Sequence, residues 1–398
     1  MEREKVDAAL IWAEIDLDAI SGNIRALRSM TAEGTRFMAV VKADAYGHGA
    51  VAVARQALAA GADWLAVARL DEGIALRRAG IQAPILVFGY TPPASAADLL
   101  ANDLTATVYD FDTAQAYSRV AVTTDRDLRV HLKVDTGMGR LGLRPEVRGF
   151  SATGKAVSGN PVFVADAIAH LPGIRLEGVY THFAAADHAD QRFTLAQLEK
   201  FTDFLDHLYY AGLEVPLRHA ANSAATITLP DAHLDMVRCG IAMYGLYPSA
   251  AVGPERITLT PAMALKCRIV QIKAVEAGFA VSYGMTHVTE APTVIATVAA
   301  GYADGLSRRL SNAGEMLVRG RRVPIVGRVC MDLTMLDTGA VPAAELGDEA
   351  VVFGRQGEEL ISVDEVAARL DTINYEVVTG VAARVPRIYL QDRSASQG

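Results

Sequence analysis

The chain has 398 residues, 51% of them hydrophobic and 21% charged, with a formal net charge of −8. That length suits one large domain plus a smaller one, the composition is too apolar for a disordered protein, and the charge argues against the basic face of a nucleic-acid binder. Three cysteines, Cys239, Cys267 and Cys330, lie far apart in neither a disulfide nor a zinc spacing, which points to a reducing, cytoplasmic setting. The opening MEREKVDAAL has no apolar signal core. The longest uncharged run, Ala79 to Ala97, is broken by Pro84, Pro92 and Pro93, so no membrane span is expected.

In chain order, a first strand is expected over Trp12–Leu17, with no partner assigned. Short apolar runs follow at Phe37–Val41, Trp64–Ala68, Pro84–Phe88, Thr105–Tyr109, Arg129–Asp135, Leu176–His182, Leu217–Ala220 and Asp235–Arg238. Between most of them lie segments rich in Ala, Leu and Arg, such as Ala50–Ala60, Asp71–Ala79 and Asp190–Ala211, which favour helix. This repetition predicts an α/β chain with an N-terminal (β/α)8 TIM-like barrel, although a doubly wound sheet uses the same units. After Tyr247-Pro248 the rhythm changes to strands at Ala264–Val275, Thr293–Ala299, Glu315–Val318 and Ala350–Phe353. The expected domains are a barrel over 1–248 and a mostly β domain over 249–398, with residues 1–18 open to pairing with the second.

A parallel barrel carries its active site at the C-terminal ends of its strands, so candidates are sought there. The first barrel strand runs into VVKADAYGHGA and delivers Lys42, then Tyr46. A lysine ending an apolar strand is either an amine nucleophile or the partner of an acid such as Asp44. In RVHLKVDTGMGR, alternation puts His131, Lys133 and Asp135 on one face. Arg140 follows two glycines; it reads first as a salt-bridge partner of Asp135, and second as a grip for a carboxylate. Another strand ends at Thr181-His182, with Asp187 nearby, and no histidine pair in metal-ligand spacing ends any strand. HAANSAA presents Asn222 and Ser223 at a helix start, where Ser223 suits an N-cap, a phosphate, or both. MVRCGIAMYG brings Arg238 to the mouth and offers the backbone N–H groups of Gly240 and Ile241 to a phosphate. The second domain adds VSYGMT with Tyr283, AAGYADG with Tyr302, GRVCMD with Met331 and Asp332, and INYEV with Tyr375.

Together these motifs resemble those of the pyridoxal-phosphate-dependent alanine racemases, in order, from WAEIDLDAI to RVPRIY. The resemblance implies a barrel domain, a β domain, a homodimer with shared active sites, and pyridoxal 5′-phosphate as cofactor. It implies an isomerase that interconverts L- and D-alanine by two-base α-proton transfer on the cofactor's aldimine, supplying D-alanine for peptidoglycan. The alternative is a racemase of broader amino-acid preference on the same cofactor. Lys42 matches the lysine that carries the cofactor and acts on the D-alanine face. Tyr283 matches the opposing base, supplied by the partner subunit for the L-alanine face. Arg238 matches the arginine at the pyridine nitrogen, with His182 in the network linking it to Tyr283. Tyr46, Ser223, Gly240, Ile241 and Tyr375 match phosphate-holding positions, with Asn222 beside them. Arg140 and Met331 match holders of the substrate carboxylate, and Lys133 a lysine that is often carbamylated. Tyr302, Asp187 and Asp332 fall at the substrate entrance. Leu333 departs from the pattern, standing where glutamine is common.

Overall fold

The computed structural model describes residues 9–145, 149–150, 156–157 and 160–391; the outer ends of the two expected domains, residues 1–8 and 392–398, lie outside these. The chain divides into two compact units. Of the described residues, one contains those in 20–45 and 50–260, the other those in 9–19, 46–49 and 261–391.

The first unit is a barrel of eight parallel strands. In chain order they are β2 (Arg36–Val40), β3 (Trp64–Val67), β4 (Ile85–Val87), β5 (Thr105–Val108), β6 (Leu128–Lys133), β7 (Ile174–Tyr180), β8 (Leu217–His219) and β9 (Met236–Cys239). A further strand, β1 (Ile11–Asp16), precedes them in the chain and belongs to the second unit. The hydrogen-bonded order is β8-β7-β6-β5-β4-β3-β2-β9. The ends of that order meet: Asp235 N donates to Arg218 O at 3.1 Å and Arg238 N to Ala221 O at 3.0 Å. An open doubly wound sheet is thereby ruled out, as its edge strands would not face each other. The strands are short, and β3, β4 and β5 are wholly buried, as parallel strands covered on both faces must be.

Helices on the outside include α1 (Leu17–Arg28), α2 (Ala50–Ala59), α3 (Leu70–Arg78), α4 (Ala96–Ala101), α5 (Phe111–Thr123), α6 (Pro161–Ala169), α7 (Arg192–Tyr210) and α8 (Ser223–Thr228). Their apolar stripes explain their packing: α1 buries Ile20, Ile24 and Leu27, spaced for one helix face. Helix α5 begins where Asp110 accepts a hydrogen bond from Thr113 N at 2.8 Å, an N-cap of the kind that contributes about 1 kcal/mol. The barrel unit runs past Pro248 to Thr260 because Asn23 in α1 holds that end on both sides. Its amide donates to Thr260 O at 2.8 Å and its carbonyl accepts from Thr260 N at 2.8 Å.

The second unit is built on a nine-stranded sheet. Its strands are β1 together with β10 (Met263–Val275), β11 (Thr293–Val298), β12 (Glu315–Val318), β13 (Arg321–Pro324), β14 (Thr334–Asp337), β15 (Glu349–Gln356), β16 (Glu359–Ile361) and β17 (Arg387–Leu390). The main path is β13-β12-β15-β10-β1-β17, with β11 joining β10 to β14 and β16 lying on β15. Strand β10 alternates: Met263, Leu265, Cys267 and Ile269 are buried while their neighbours are half-exposed. Strand β1 finds two partners, antiparallel β10 with Ile11 opposite Cys267, and parallel β17 with Ala13 opposite Arg387. Trp12 is fully buried there, and truncating such a side chain costs about 3–5 kcal/mol. Helices α9 (Val363–Leu370) and α10 (Asn374–Thr379) complete the unit. The segment Tyr46–Gly49 belongs to it through close backbone contact. Arg387 Nε donates to Gly47 O at 2.9 Å, and a Cβ on Gly47 would sit 2.3 Å from Val378 O. Among the described residues no helix is long and apolar enough to cross a membrane.

Candidate active site

Lys42 follows the end of β2 and opens a turn in which Ala43, Asp44, Ala45 and Tyr46 all have φ between 51° and 54°. Four successive non-glycine residues in the left-handed region are costly, at roughly 1–2 kcal/mol each. Glu72 in the first turn of α3 holds the turn in place: one carboxylate oxygen accepts from Ala43 N at 2.6 Å, the other from Ala68 N at 2.7 Å and Arg69 N at 3.0 Å. Asp44 turns to α2, where its carboxylate accepts from Ala50 N at 2.7 Å. The backbone that follows Lys42 is thus fixed at the C-terminal end of β2. Burial, then the nearby Arg140 charge, lower the pKa of the Lys42 amine, against a smaller opposing pull from Glu72. It therefore keeps its neutral, nucleophilic form to lower pH than an ordinary lysine.

Strands β6 to β9 place a chain of polar groups inside the barrel. His131 Nδ1 lies 2.9 Å from His219 Nε2. His219 Nδ1 lies 3.0 Å from an Arg238 terminal nitrogen. The other terminal nitrogen of Arg238 donates to Thr181 O at 2.8 Å and Ala220 O at 3.0 Å, and reaches His182 Nδ1 at 3.2 Å. Tyr180 stacks on His219 with rings 4.8 Å apart and 4° from parallel. Its ring also receives the Arg238 guanidinium at 5.4 Å and Lys133 Nζ at 5.5 Å, both cation–π contacts. Its hydroxyl bonds Thr107 Oγ1 at 2.9 Å.

Arginine only donates, so His219 Nδ1 and His182 Nδ1 must present lone pairs, and the proton of each ring sits on Nε2. Burial and the Arg238 charge hold the imidazoles neutral: His131 falls to about 3, and His182 and His219 drop well below the ordinary value. Burial also lowers Arg238 to about 10. Lys133 falls to about 8 through burial, then Arg140 and Arg238.

Ser223 begins α8, whose cap is Asn222, the carboxamide oxygen accepting from Ala225 N at 3.0 Å. Ser223 Oγ in turn accepts from Gly240 N at 2.9 Å and Ala242 N at 3.4 Å. Gly240 and Ile241 open the single turn Ile241–Tyr244. The hydroxyl and the backbone N–H groups expected to meet an anion are thus together. The expected Asp135–Arg140 pair is not formed among the described residues. Asp135 Oδ1 instead accepts from Gly137 N and Gly139 N, both at 3.0 Å, because the glycine turn brings those donors to it. Arg140 is exposed and Asp187 half-buried.

The remaining candidates belong to the second unit. Tyr46 and Tyr375 meet with ring centroids 6.1 Å apart, and burial raises the Tyr46 pKa. Tyr302 N donates to Cys330 O and Ala303 N to Met331 O, each at 3.0 Å. Ser282, next to Tyr283, donates to Arg328 O at 2.7 Å and touches Cys330 Sγ at 3.4 Å. These contacts bring the segments that carry Tyr283, Tyr302 and Met331 next to one another. Asp332 is paired with Arg384 at 2.7 Å. Tyr283 is 73% exposed and Met331 52%. The sequence reading had not singled out Glu72, Tyr180 or His219. The inward alternation that marked His131 and Lys133 would have marked Tyr180, but the reach of Glu72 to Ala43 is a tertiary contact with no local signal.

Residues 15–248 match the family described as alanine racemase, N-terminal domain, and residues 262–389 the alanine racemase, C-terminal domain. An alanine racemase of Desulfosudis oleivorans is 53% identical over 385 residues, covering 97% of this chain and 98% of the relative. One of Methanococcus maripaludis is 47% identical over 380 residues, covering 96% and 98%. Among solved structures, the alanine racemase of Clostridium difficile 630 superposes with a TM-score of 0.91 at 39% identity, covering 97% of each chain. That of Bacillus anthracis with bound L-Ala-P gives 0.88 at 41% identity, covering 96% of each.

Proposed function

The chain belongs to the alanine racemase family and is an enzyme of its pyridoxal-phosphate-dependent kind; from that premise we propose that Lys42 and Tyr283 pass the α-proton of alanine between its two faces. The observation that carries the reading is Arg238. Its terminal nitrogens are spent on carbonyls and two neutral histidines, while its Nε–H makes no bond within the described residues. An Nε–H left without a bond, in a barrel that also holds a lysine of lowered pKa, fits an unprotonated pyridine nitrogen. The Ser223 hydroxyl, whose oxygen accepts from Gly240 N and Ala242 N and whose proton is left to donate, fits a phosphate.

In this reading Lys42 holds the cofactor covalently. Tyr46, Ser223, Gly240, Ile241 and Tyr375 hold the phosphate, with Asn222 capping the helix that carries Ser223. Bound there, the cofactor supplies an electron sink for the electrons left at the substrate's Cα. Lys42 Nζ moves the proton on the D-alanine face, and its lowered pKa favours the neutral form that accepts it. Tyr283 of the partner subunit moves it on the L-alanine face. His182 supports that role, because its proton is on Nε2, leaving an N–H to donate to a phenol oxygen. Arg140 and Met331 hold the substrate carboxylate, and Tyr302, Asp187 and Asp332 line the entrance. Arg238 cannot hand over a proton, so it keeps the nitrogen it faces unprotonated. That restrains the sink and favours returning the proton to Cα over side reactions.

Lys133 faces two cations, Arg140 and Arg238, and its pKa near 8 leaves an appreciable neutral fraction able to take up carbon dioxide. A carbamate there would replace repulsion by attraction and orient Arg140. Electron density at Nζ in crystals grown with bicarbonate tests this; a bare amine counts against it.

Chiral chromatography of L-alanine after incubation with the protein and pyridoxal phosphate tests the activity. D-alanine should rise toward an equal mixture, and should not with Lys42→Ala. A yellow protein that leaves alanine unchanged and racemises another amino acid would establish the broader specificity instead. A cytoplasmic supply of D-alanine for peptidoglycan is the proposed role, supported by the three unlinked cysteines. A deletion strain should then need D-alanine to grow; growth without it, in a strain with no second racemase, contradicts the role.

A further inference from the structure

The His131–His219–Arg238 chain ends inside the barrel on His131 Nε2, an atom shielded from solvent with no hydrogen-bond partner among the described residues. One other buried atom without a partner faces it: Glu177 Oε2, at 3.9 Å. We propose that Glu177 is a positioning residue for Arg238. Its carboxylate accepts the His131 Nε2 proton and so fixes both imidazoles in the tautomer that offers Arg238 a lone pair. This rests on the reading of Arg238 given above.

The backbone is shaped for the meeting. Between β6 and β7 the register slips: Val130 lies opposite Leu176, but His131 lies opposite Gly178. Glu177 is the extra residue of a β-bulge, the device by which a strand re-aims one side chain. Gly178 makes room for the ring, since a Cβ there would lie 2.7 Å from His131 Nδ1. Trp64 closes another side of the imidazole at 5.4 Å.

The direction of the chain follows from donors and acceptors. Arg238 donates, so His219 Nδ1 accepts and His219 Nε2 carries the proton. That proton goes to His131 Nδ1, and His131 Nε2 must then carry its own. Such a buried N–H costs about 1–3 kcal/mol if it meets no acceptor. In the opposite arrangement His131 Nδ1 donates to His219 Nε2, and His219 Nδ1–H points at a guanidinium that is also a donor. The two arrangements differ in whether an acceptor stands beyond His131, and Glu177 is that acceptor. A separation of 3.9 Å closes by a small side-chain turn or through one bridging water. Burial raises the Glu177 pKa above the ordinary carboxylate value, with Asp103 adding to it, while Arg129, whose Nε is also 3.9 Å from Oε2, and Arg175 and Arg36 pull the other way; ionised or protonated, the carboxyl group keeps an oxygen that can accept.

The test is 15N NMR of histidine-labelled holoenzyme and of the same protein without cofactor, with ring signals assigned from His131→Asn and His219→Gln. In the wild-type protein both rings should be Nε2–H tautomers. Glu177→Gln keeps an acceptor oxygen and should keep both. Glu177→Leu removes it; His219 should then divide between tautomers, with kcat falling about tenfold and the KM for alanine holding within about twofold. A wild-type His131 protonated on Nδ1 overturns the proposal without recourse to any variant. So does a Leu variant with unchanged tautomers, or a Gln variant that falls with Leu. Should the tautomers be as expected in a protein that does not racemise alanine, the racemase reading fails and the positioning of Arg238 stands.

Discussion

The barrel interior and the exposed face of the second unit solve opposite problems. Inside the barrel, Lys133 and Arg238 are only 4% and 3% exposed, a placement that costs several kcal/mol unless each charge finds partners. Arg238 finds four hydrogen-bond partners and an aromatic face, and the neighbouring imidazoles stay neutral, which removes further charge. On the second unit, Tyr283, Met285, Tyr302 and Met331 lie open to solvent. Aromatic residues and methionine are the types enriched where protein surfaces meet. The buried charges of the barrel are thus satisfied within a single chain, whereas these side chains are displayed on a surface that a second copy is proposed to complete.

That contrast can be attacked from both sides. Tyr283→Phe removes one hydroxyl from the displayed face and leaves the barrel intact. Racemisation should fall by about 10²–10⁴-fold, the usual worth of a general base, while D-alanine still exchanges its α-proton with solvent deuterium through Lys42. Loss of exchange together with racemisation would mean that the two faces are not served separately. Arg238→Glu disturbs the buried half. Racemisation should fall about a hundredfold, the scale of one lost preorganised donor, and pyruvate from transamination should rise as a share of product. An unchanged product ratio would break the link between Arg238 and reaction specificity. Arg140→Leu removes a charge beside Lys42 together with the proposed grip on the substrate carboxylate, so the pH profile is read at saturating alanine. Arg140 lowers the lysine pKa, so its removal raises that pKa, and the acidic limb of the kcat–pH profile should move to higher pH. A limb that stays in place or moves down would assign it to another group.

Legibility in the sequence differed between the same two regions. The eight barrel strands were readable to within a residue or two at their ends, because β3, β4 and β5 are short runs without charge and the others set polar residues among apolar ones. The positions of Lys42, Ser223 and Arg238 at or just beyond the ends of barrel strands were readable from the strands themselves. Helices α1, α9 and α10 went unread, and so did the partners of β1, since Met263–Val275 and Arg387–Leu390 are remote in sequence. The placement of Tyr46–Gly49 with the β unit is set by backbone contact with Val378 and Arg387, which no local pattern announces. The Glu177 bulge is a relation between two strands, so neither strand alone contains it. For Asp135, residue spacing suggested an ion pair, and the nearer N–H groups of the glycine turn prevailed.

The central claim is that a working site joins Lys42 of one chain to Tyr283 of another. The most direct measurement mixes two dead proteins, Lys42→Ala and Tyr283→Phe, under conditions where subunits exchange. In a two-fold dimer with shared sites, half of the pairs are mixed and each mixed pair has one intact site, so about a quarter of wild-type activity should return. If the mixture stays as inactive as its components while native mass spectrometry shows the mixed dimers present, each chain must supply both bases itself, and the account is wrong.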